Sequence, residues 1–178
     1  MKLAVYLGST PGSEPGYMNL AEDVGKWIGS HGHTLVYGGS DRGMMGALAK
    51  GVHETEGKII GVMPSFMMDN GWDEKDLDQM IVTQDMAERR VRMMELSDGY
   101  LALPGGVGTL DEISEVMSSR KLGLVTGEIA LMNYHGFYDS FLKYLDQMVQ
   151  EGFYPKSCRQ LIHAAENVKD LDRIFFCK

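Results

Sequence analysis

Tyr100-Leu101-Ala102-Leu103-Pro104-Gly105-Gly106-Val107-Gly108-Thr109-Leu110-Asp111-Glu112 passes from an unbroken apolar run, through glycines, into a segment with helical character. Tyr100 to Leu103 reads as a strand buried on both faces, because its residues do not alternate apolar with polar. Pro104 stops the strand, Gly105 to Gly108 form a turn, and Thr109 to Leu122 reads as a helix.

The same order recurs on both sides of this stretch. Leu3 to Leu7 is an apolar run ended by Gly8, and a helix over 16–31 follows with Tyr17, Leu20, Val24, Trp27 and Ile28 at helical spacing. Thr34 to Tyr37 is a strand cut by Gly38-Gly39, Met44 to Glu56 a helix, and Lys58 to Met63 a strand ended by Pro64. Residues 65–79 are irregular and rich in Asp, which suggests a loop or a short surface helix. Then come a short strand at Ile81 to Thr83 and a helix from Asp85 to Ser97, stopped by Gly99. Downstream, the pattern predicts a strand at Ile129 to Asn133, a helix at Phe137 to Gln150, a strand at Leu161 to Ala164 and a helix at Val168 to Phe176. Strands and helices that alternate throughout predict an α/β fold, a Rossmann-like doubly wound parallel sheet.

The 178 residues suit a single domain over 1–178. Lys and Arg total 17 against 25 Asp and Glu, a net charge of −8, which argues against a nucleic-acid partner. A small anion is still compatible, because backbone dipoles act locally. Cys158 and Cys177 form no CxxC pair and no Cys/His cluster has zinc spacing, so no metal is expected. Both read as free thiols of a reducing compartment. No run nears the ~18 apolar residues of a membrane span, and Gly8 breaks the first apolar run too early for a signal peptide. The expectation is a soluble, cytoplasmic protein without membrane partners.

Glycine-rich turns at Gly8 to Gly12, Gly38 to Gly46 and Gly105 to Gly108 each follow a strand. Without Cβ atoms such loops bring backbone N–H groups close to an anion, and the next helix adds its positive end. No GxGxxG, GxxxxGK[ST] or GxSxG motif is present, so the loops match neither a dinucleotide fingerprint, nor a P-loop, nor a hydrolase elbow. They suggest a site for one phosphate. Thr109-x-x-Glu112 has two readings. It matches a capping box, with Thr109 as N-cap and Glu112 reaching back to a backbone N–H. It also sets a carboxylate one helical turn from a phosphate loop, where it would face the C1′ of a nucleotide's sugar.

Pro104-Gly105-Gly106-x-Gly108-Thr109-x-x-Glu112 resembles the PGGxGTxxE signature of the Lonely guy (LOG) family, whose members are often labelled lysine decarboxylases. Met86-x-x-Arg89 resembles its MxxRK motif, and Tyr37-Gly38-Gly39 with Gly43-x-Met45-Gly46 resembles YGGGxxGLMG. Gly8-Ser9, Asn133, Gly136 to Asp139 and Glu151-Gly152-Phe153 extend the likeness over nearly the whole chain. The resemblance implies a homodimeric phosphoribohydrolase that cleaves nucleoside 5′-monophosphates, cytokinin riboside monophosphates and AMP among them, with no cofactor. It implies that Arg89 and Glu112 are the catalytic pair. Gly8, Ser9, Gly38, Gly39, Arg90, Gly105, Gly106, Gly108 and Thr109 would bind substrate or phosphate. The alternative within the same loop architecture is a nucleotide or cofactor carrier without turnover.

Several positions depart from the family pattern. Ser40 replaces the third glycine, Arg90 the lysine of MxxRK, and Ser118-Ser119 a Thr-Trp pair; Phe66 lies near an expected acidic position. Lysine decarboxylation would need a pyridoxal cofactor on a lysine, and Lys121, a full helix from the loop, is the nearest one in sequence. Without the resemblance, Arg89 in Glu88-Arg89-Arg90-x-Arg92 reads as a solvated charge, and Glu115 as another. Met44, Met45, Met86 and Met93 read as core filler or as the lining of a base pocket.

Overall fold

Apolar runs that do not alternate are stable in a sheet covered on both faces. The structure, a computed structural model, describes residues 1–71 and 73–176, so Cys177 lies outside the described residues. Its strands are β1 (Lys2–Tyr6), β2 (Thr34–Tyr37), β3 (Lys58–Pro64), β4 (Gln79–Thr83), β5 (Gly99–Ala102), β6 (Ile129–Met132) and β7 (Ile162–Ala165). They form one seven-stranded sheet in the order β4-β3-β2-β1-β5-β6-β7, every pairing parallel. The helices are α1 (Pro15–Ser30), α2 (Gly43–His53), α3 (Ser65–Met68), α4 (Met86–Glu95), α5 (Val107–Lys121), α6 (Asp139–Gln150), α7 (Lys156–Arg159) and α8 (Asp170–Phe176). This is the expected Rossmann-like doubly wound α/β fold.

Successive side chains of a strand serve opposite faces. Leu3 and Val5 of β1 join the core shared with α1, α2 and α8, whereas Ala4 and Tyr6 join the core shared with α4, α5 and α6. Strand order runs outward from β1 in one direction and from β5 in the other. The pair registers from Leu3↔Gly99 to Tyr6↔Ala102. Asp98 accepts a 2.7 Å hydrogen bond from the Lys2 N–H at the start of these strands. In such sheets the crevice beyond the carboxyl ends of the strands is where ligands bind.

Two boundaries beside the crevice differ from the sequence pattern. α5 begins at Val107 with Gly106 at its cap, so Thr109 is a buried third helical residue and not the N-cap. The helix expected from Phe137 begins at Asp139, because Tyr134–Gly136 form a 3-10 turn in which His135 takes φ +52. In the irregular segment after Pro64, α3 is followed by an isolated bridge between Asp73 and Ser40, both buried. Ser40 also accepts from the Arg42 N–H at 3.2 Å. The residue that replaces a glycine therefore anchors its loop through its hydroxyl.

Candidate active site

β1 and β5 end side by side, and the loops after them are locked together. The Gly8 N–H donates to Pro104 O at 3.2 Å, and the Leu103 N–H to Tyr6 O at 2.9 Å. A Cβ on Gly105 would collide with Thr109 and crowd the Gly8 N–H, so this approach requires glycine. The Tyr138 hydroxyl donates to Leu103 O at 2.7 Å, its N–H donates to Asn133 Oδ1 at 2.7 Å, and Asn133 Nδ2 donates to Asp139 at 2.9 Å. Asn133, Tyr138 and Asp139 thus brace the signature loop from below.

Above that brace, α5 points its N-terminus into the crevice with no side chain capping it. A Cβ at Gly106 or Gly108 would meet nothing within 4 Å. The fold itself therefore does not demand glycine there, and a helical glycine costs about 1 kcal/mol relative to alanine. What the glycines provide is open access to unpaired N–H groups at the positive end of a 15-residue helix, an environment suited to an anion.

Arg89 of α4 lies across the crevice. Its Nε donates to Val62 O at 3.0 Å and its Nη1 to Glu112 Oε1 at 2.7 Å; the two side chains are 8% and 11% exposed. Gly38 leaves room for the guanidinium, since a Cβ there would collide with Nη2. Glu112 therefore points at Arg89, not back to a backbone N–H, and the capping-box reading falls. The solvated-arginine reading of Arg89 falls with it. Burial pushes the Glu112 carboxyl above its ordinary value, partly opposed by Arg89 and reinforced by Asp111. A carboxylate held in this way is a stronger proton acceptor than a free glutamate. Tyr6 sits on the floor beside the pair, its phenol pushed up by burial and by the Glu112 charge.

One cleft of about 430 Å³ brings together Gly8, Ser9, Gly38, Gly106, Gly108 and Thr109 with Arg89 and Glu112. Gly105 lines an adjoining cavity of about 290 Å³ that shares the Gly8 and Gly106 wall and includes Met44. Gly39 is turned away, its carbonyl accepting from the Glu74 N–H at 2.8 Å. Arg90, expected as a phosphate ligand, is not among the described residues that line this cleft. It pairs with Glu115 at 2.6 Å and Asp111 at 3.4 Å, because the next residue of a helix points about 100° away. Glu115, expected to be a solvated charge, is its partner.

Met45, Met86 and Met93 line the cleft, and so does Met67, which lay in the irregular segment where no periodicity marked it. No lysine is among the described side chains that line the cleft, and Lys121 sits at the far end of α5. The site does not fit a pyridoxal cofactor bound to a lysine. Among the described residues, no helix is long and apolar enough to cross a membrane.

Residues 45–174 match a family model described as Possible lysine decarboxylase. The chain is 35% identical over 170 residues to the cytokinin riboside 5′-monophosphate phosphoribohydrolase LOG of Oryza sativa subsp. japonica, covering 96% of this chain and 70% of that one. It is 34% identical to the phosphoribohydrolase LOG3 of Arabidopsis thaliana, covering 96% and 79%. Among solved structures, the molybdenum cofactor binding protein from Rippkaea orientalis matches with a TM-score of 0.74 at 21% identity, over 97% of this chain and 93% of that one. The molybdenum cofactor carrier protein from Chlamydomonas reinhardtii matches with a TM-score of 0.70 at 24% identity, over 94% and 91%. At those identities the likeness is one of fold.

Proposed function

The chain belongs to the Lonely guy (LOG) family, and on that premise we propose that it hydrolyses the N-glycosidic bond of a purine nucleoside 5′-monophosphate to free base and ribose 5-phosphate. Cytokinin riboside monophosphates, named for the relatives, are the first substrate class, and AMP is the second. The observation that carries this reading is the buried Arg89–Glu112 pair opening on the same cleft as the uncapped start of α5.

The phosphate lies against the N–H groups of the Gly106–Thr109 turn. Cleavage of the C1′–N bond leaves positive charge on the ribose, and the departing base keeps the bonding electron pair and takes up a proton. The Glu112 carboxylate faces that charge and stabilises it. It then accepts a proton from the water that attacks C1′. Arg89 holds the carboxylate in place and favours its ionised form against burial. Glu112 releases that proton to solvent, which supplies the one the base takes up, so the reaction balances with water alone.

The test is chromatography after incubation with AMP and with N6-isopentenyladenosine monophosphate, using wild type and Glu112→Gln. Free base from the wild type alone supports hydrolysis. Retained nucleotide without base supports the second reading, a carrier without turnover. The expected partner is a second copy of the chain, meeting along the exposed Val91, Leu122 and Leu124 near α4 and the end of α5. A monomer mass at micromolar concentration removes that expectation. A cytoplasmic setting stays part of the proposal, consistent with the free thiol of Cys158.

A further inference from the structure

The cleft has two unlike sides. The loops after β1 and β5, with Glu112 of α5, supply backbone N–H groups, hydroxyls and a carboxylate. The other lining side chains come from α2, α3 and α4: Arg89 of α4, and the methionines Met45, Met67, and Met86 with Met93. These four are not equivalent. Met93 is fully buried within the core of its face, and Met45 packs against the core on the other face. Met67 and Met86 belong to neither core among the described residues, and both are half-buried. Met67 stands on a four-residue helix none of whose residues is buried, and its neighbour Phe66 is 50% exposed. Among the described residues Met67 joins neither core yet lines the cleft, and an unbranched, polarisable side chain adapts to an irregular apolar group.

We propose that Met67 is a specificity-determining residue, setting a preference for bases that carry a flexible apolar substituent over unsubstituted adenine. The proposal rests on the hydrolase reading. With the phosphate at the start of α5 and C1′ beside Glu112, the base extends away from the glycine loops toward the methionine side. The ring makes contacts common to both substrates, whereas an alkyl group on its exocyclic nitrogen projects further and meets Met67. The purine and its phosphate do not depend on that contact, so its loss falls on the substituent.

The experiment compares kcat/KM for N6-isopentenyladenosine monophosphate and for AMP in wild type, Met67→Gln and Met67→Leu. Glutamine keeps the length of methionine and adds polarity, while leucine keeps the apolar character. Met67 is half-buried outside the core, so both variants are expected to melt with the wild type. The isopentenyl-to-AMP ratio is expected to fall roughly tenfold or more in Met67→Gln, the scale of a lost apolar contact in a specificity pocket. In Met67→Leu it is expected to stay within a few-fold of wild type. A ratio unchanged in Met67→Gln, or an equal loss on both substrates, overturns the proposal and leaves the hydrolase reading standing. No free base from the wild type with either nucleotide overturns the hydrolase reading, and the specificity role goes with it.

Discussion

Three ion pairs join α4 to α5, and the two shortest are made by arginines adjacent in the chain. Arg89 meets Glu112 at 2.7 Å with both side chains about a tenth exposed; Arg90 meets Glu115 at 2.6 Å with side chains 25% and 35% exposed. The charges and the distances are alike, and the surroundings differ. Arg89 is hydrogen-bonded to β3 under a glycine and faces a cleft, whereas Arg90 points a third of a turn away toward solvent. The same attraction is strong where water is excluded and weak where it is not. What separates the buried cleft pair from the surface pair here is the sheet edge beneath it, not the residue types.

The largest effect expected from this contrast is on turnover in Glu112→Gln. Loss of a carboxylate that serves as proton acceptor costs about 10²–10⁴ in kcat. Stability is expected to fall by less than on loss of Arg89, since glutamine still accepts from the guanidinium although it no longer balances its charge. Retained activity with a large fall in melting temperature would make the pair structural. Arg89→Met reverses the pattern by leaving the carboxylate buried without its partner. It is expected to lose activity and also about 3–5 kcal/mol at neutral pH. At roughly 2–4 °C per kcal/mol for a chain of this size, calorimetry resolves the two variants.

The next effect is on pH dependence. Burial raises the Glu112 carboxyl above 4.5, so the folded state holds its proton to higher pH than the unfolded chain does. The stabilising contribution of this group is complete below 4.5 and is lost as pH rises through the raised value. On the proposed mechanism activity needs the ionised form and has the opposite sign, so the acid limb of kcat/KM is expected to have its midpoint above 4.5. The melting difference between wild type and Glu112→Gln should move in favour of glutamine across the same interval. An acid limb at or below the ordinary glutamate value would mean that Arg89 outweighs burial. In Arg89→Met the limb should move higher still.

The sheet was legible because its strands are unbroken apolar runs, and the runs from Leu3 and Tyr100 are the two that meet at the crevice. The glycine loops were legible for the same reason, since each interrupts such a run. What was not legible was direction. Thr109-x-x-Glu112 satisfies the capping spacing, yet α5 starts two residues earlier, so the same carboxylate faces across to α4. Glu88-Arg89-Arg90-x-Arg92 is one block of charge in sequence, and only the position of β3 and Gly38 tells which arginine is buried. Met67 lies where the chain has no periodicity at all, so its place in the cleft follows from tertiary packing alone.

The smallest expected effect is the sharpest test of the comparison. Arg90→Ala removes the partly exposed pair to Glu115 and Asp111. Such pairs contribute about 0–1 kcal/mol, and added salt weakens them further. The melting change should therefore be slight at low salt and should vanish as ionic strength rises. Arg90 is held by Glu115 and Asp111 and does not line the cleft, so KM for the monophosphate should stay within about twofold while kcat holds. A phosphate ligand would behave otherwise, because a charge-assisted hydrogen bond to the substrate is worth roughly 1.5–3 kcal/mol and its loss would raise KM by about tenfold or more. A large rise in KM in Arg90→Ala would return Arg90 to the phosphate site. The two neighbouring pairs would then act on one substrate, and the contrast between them would no longer hold.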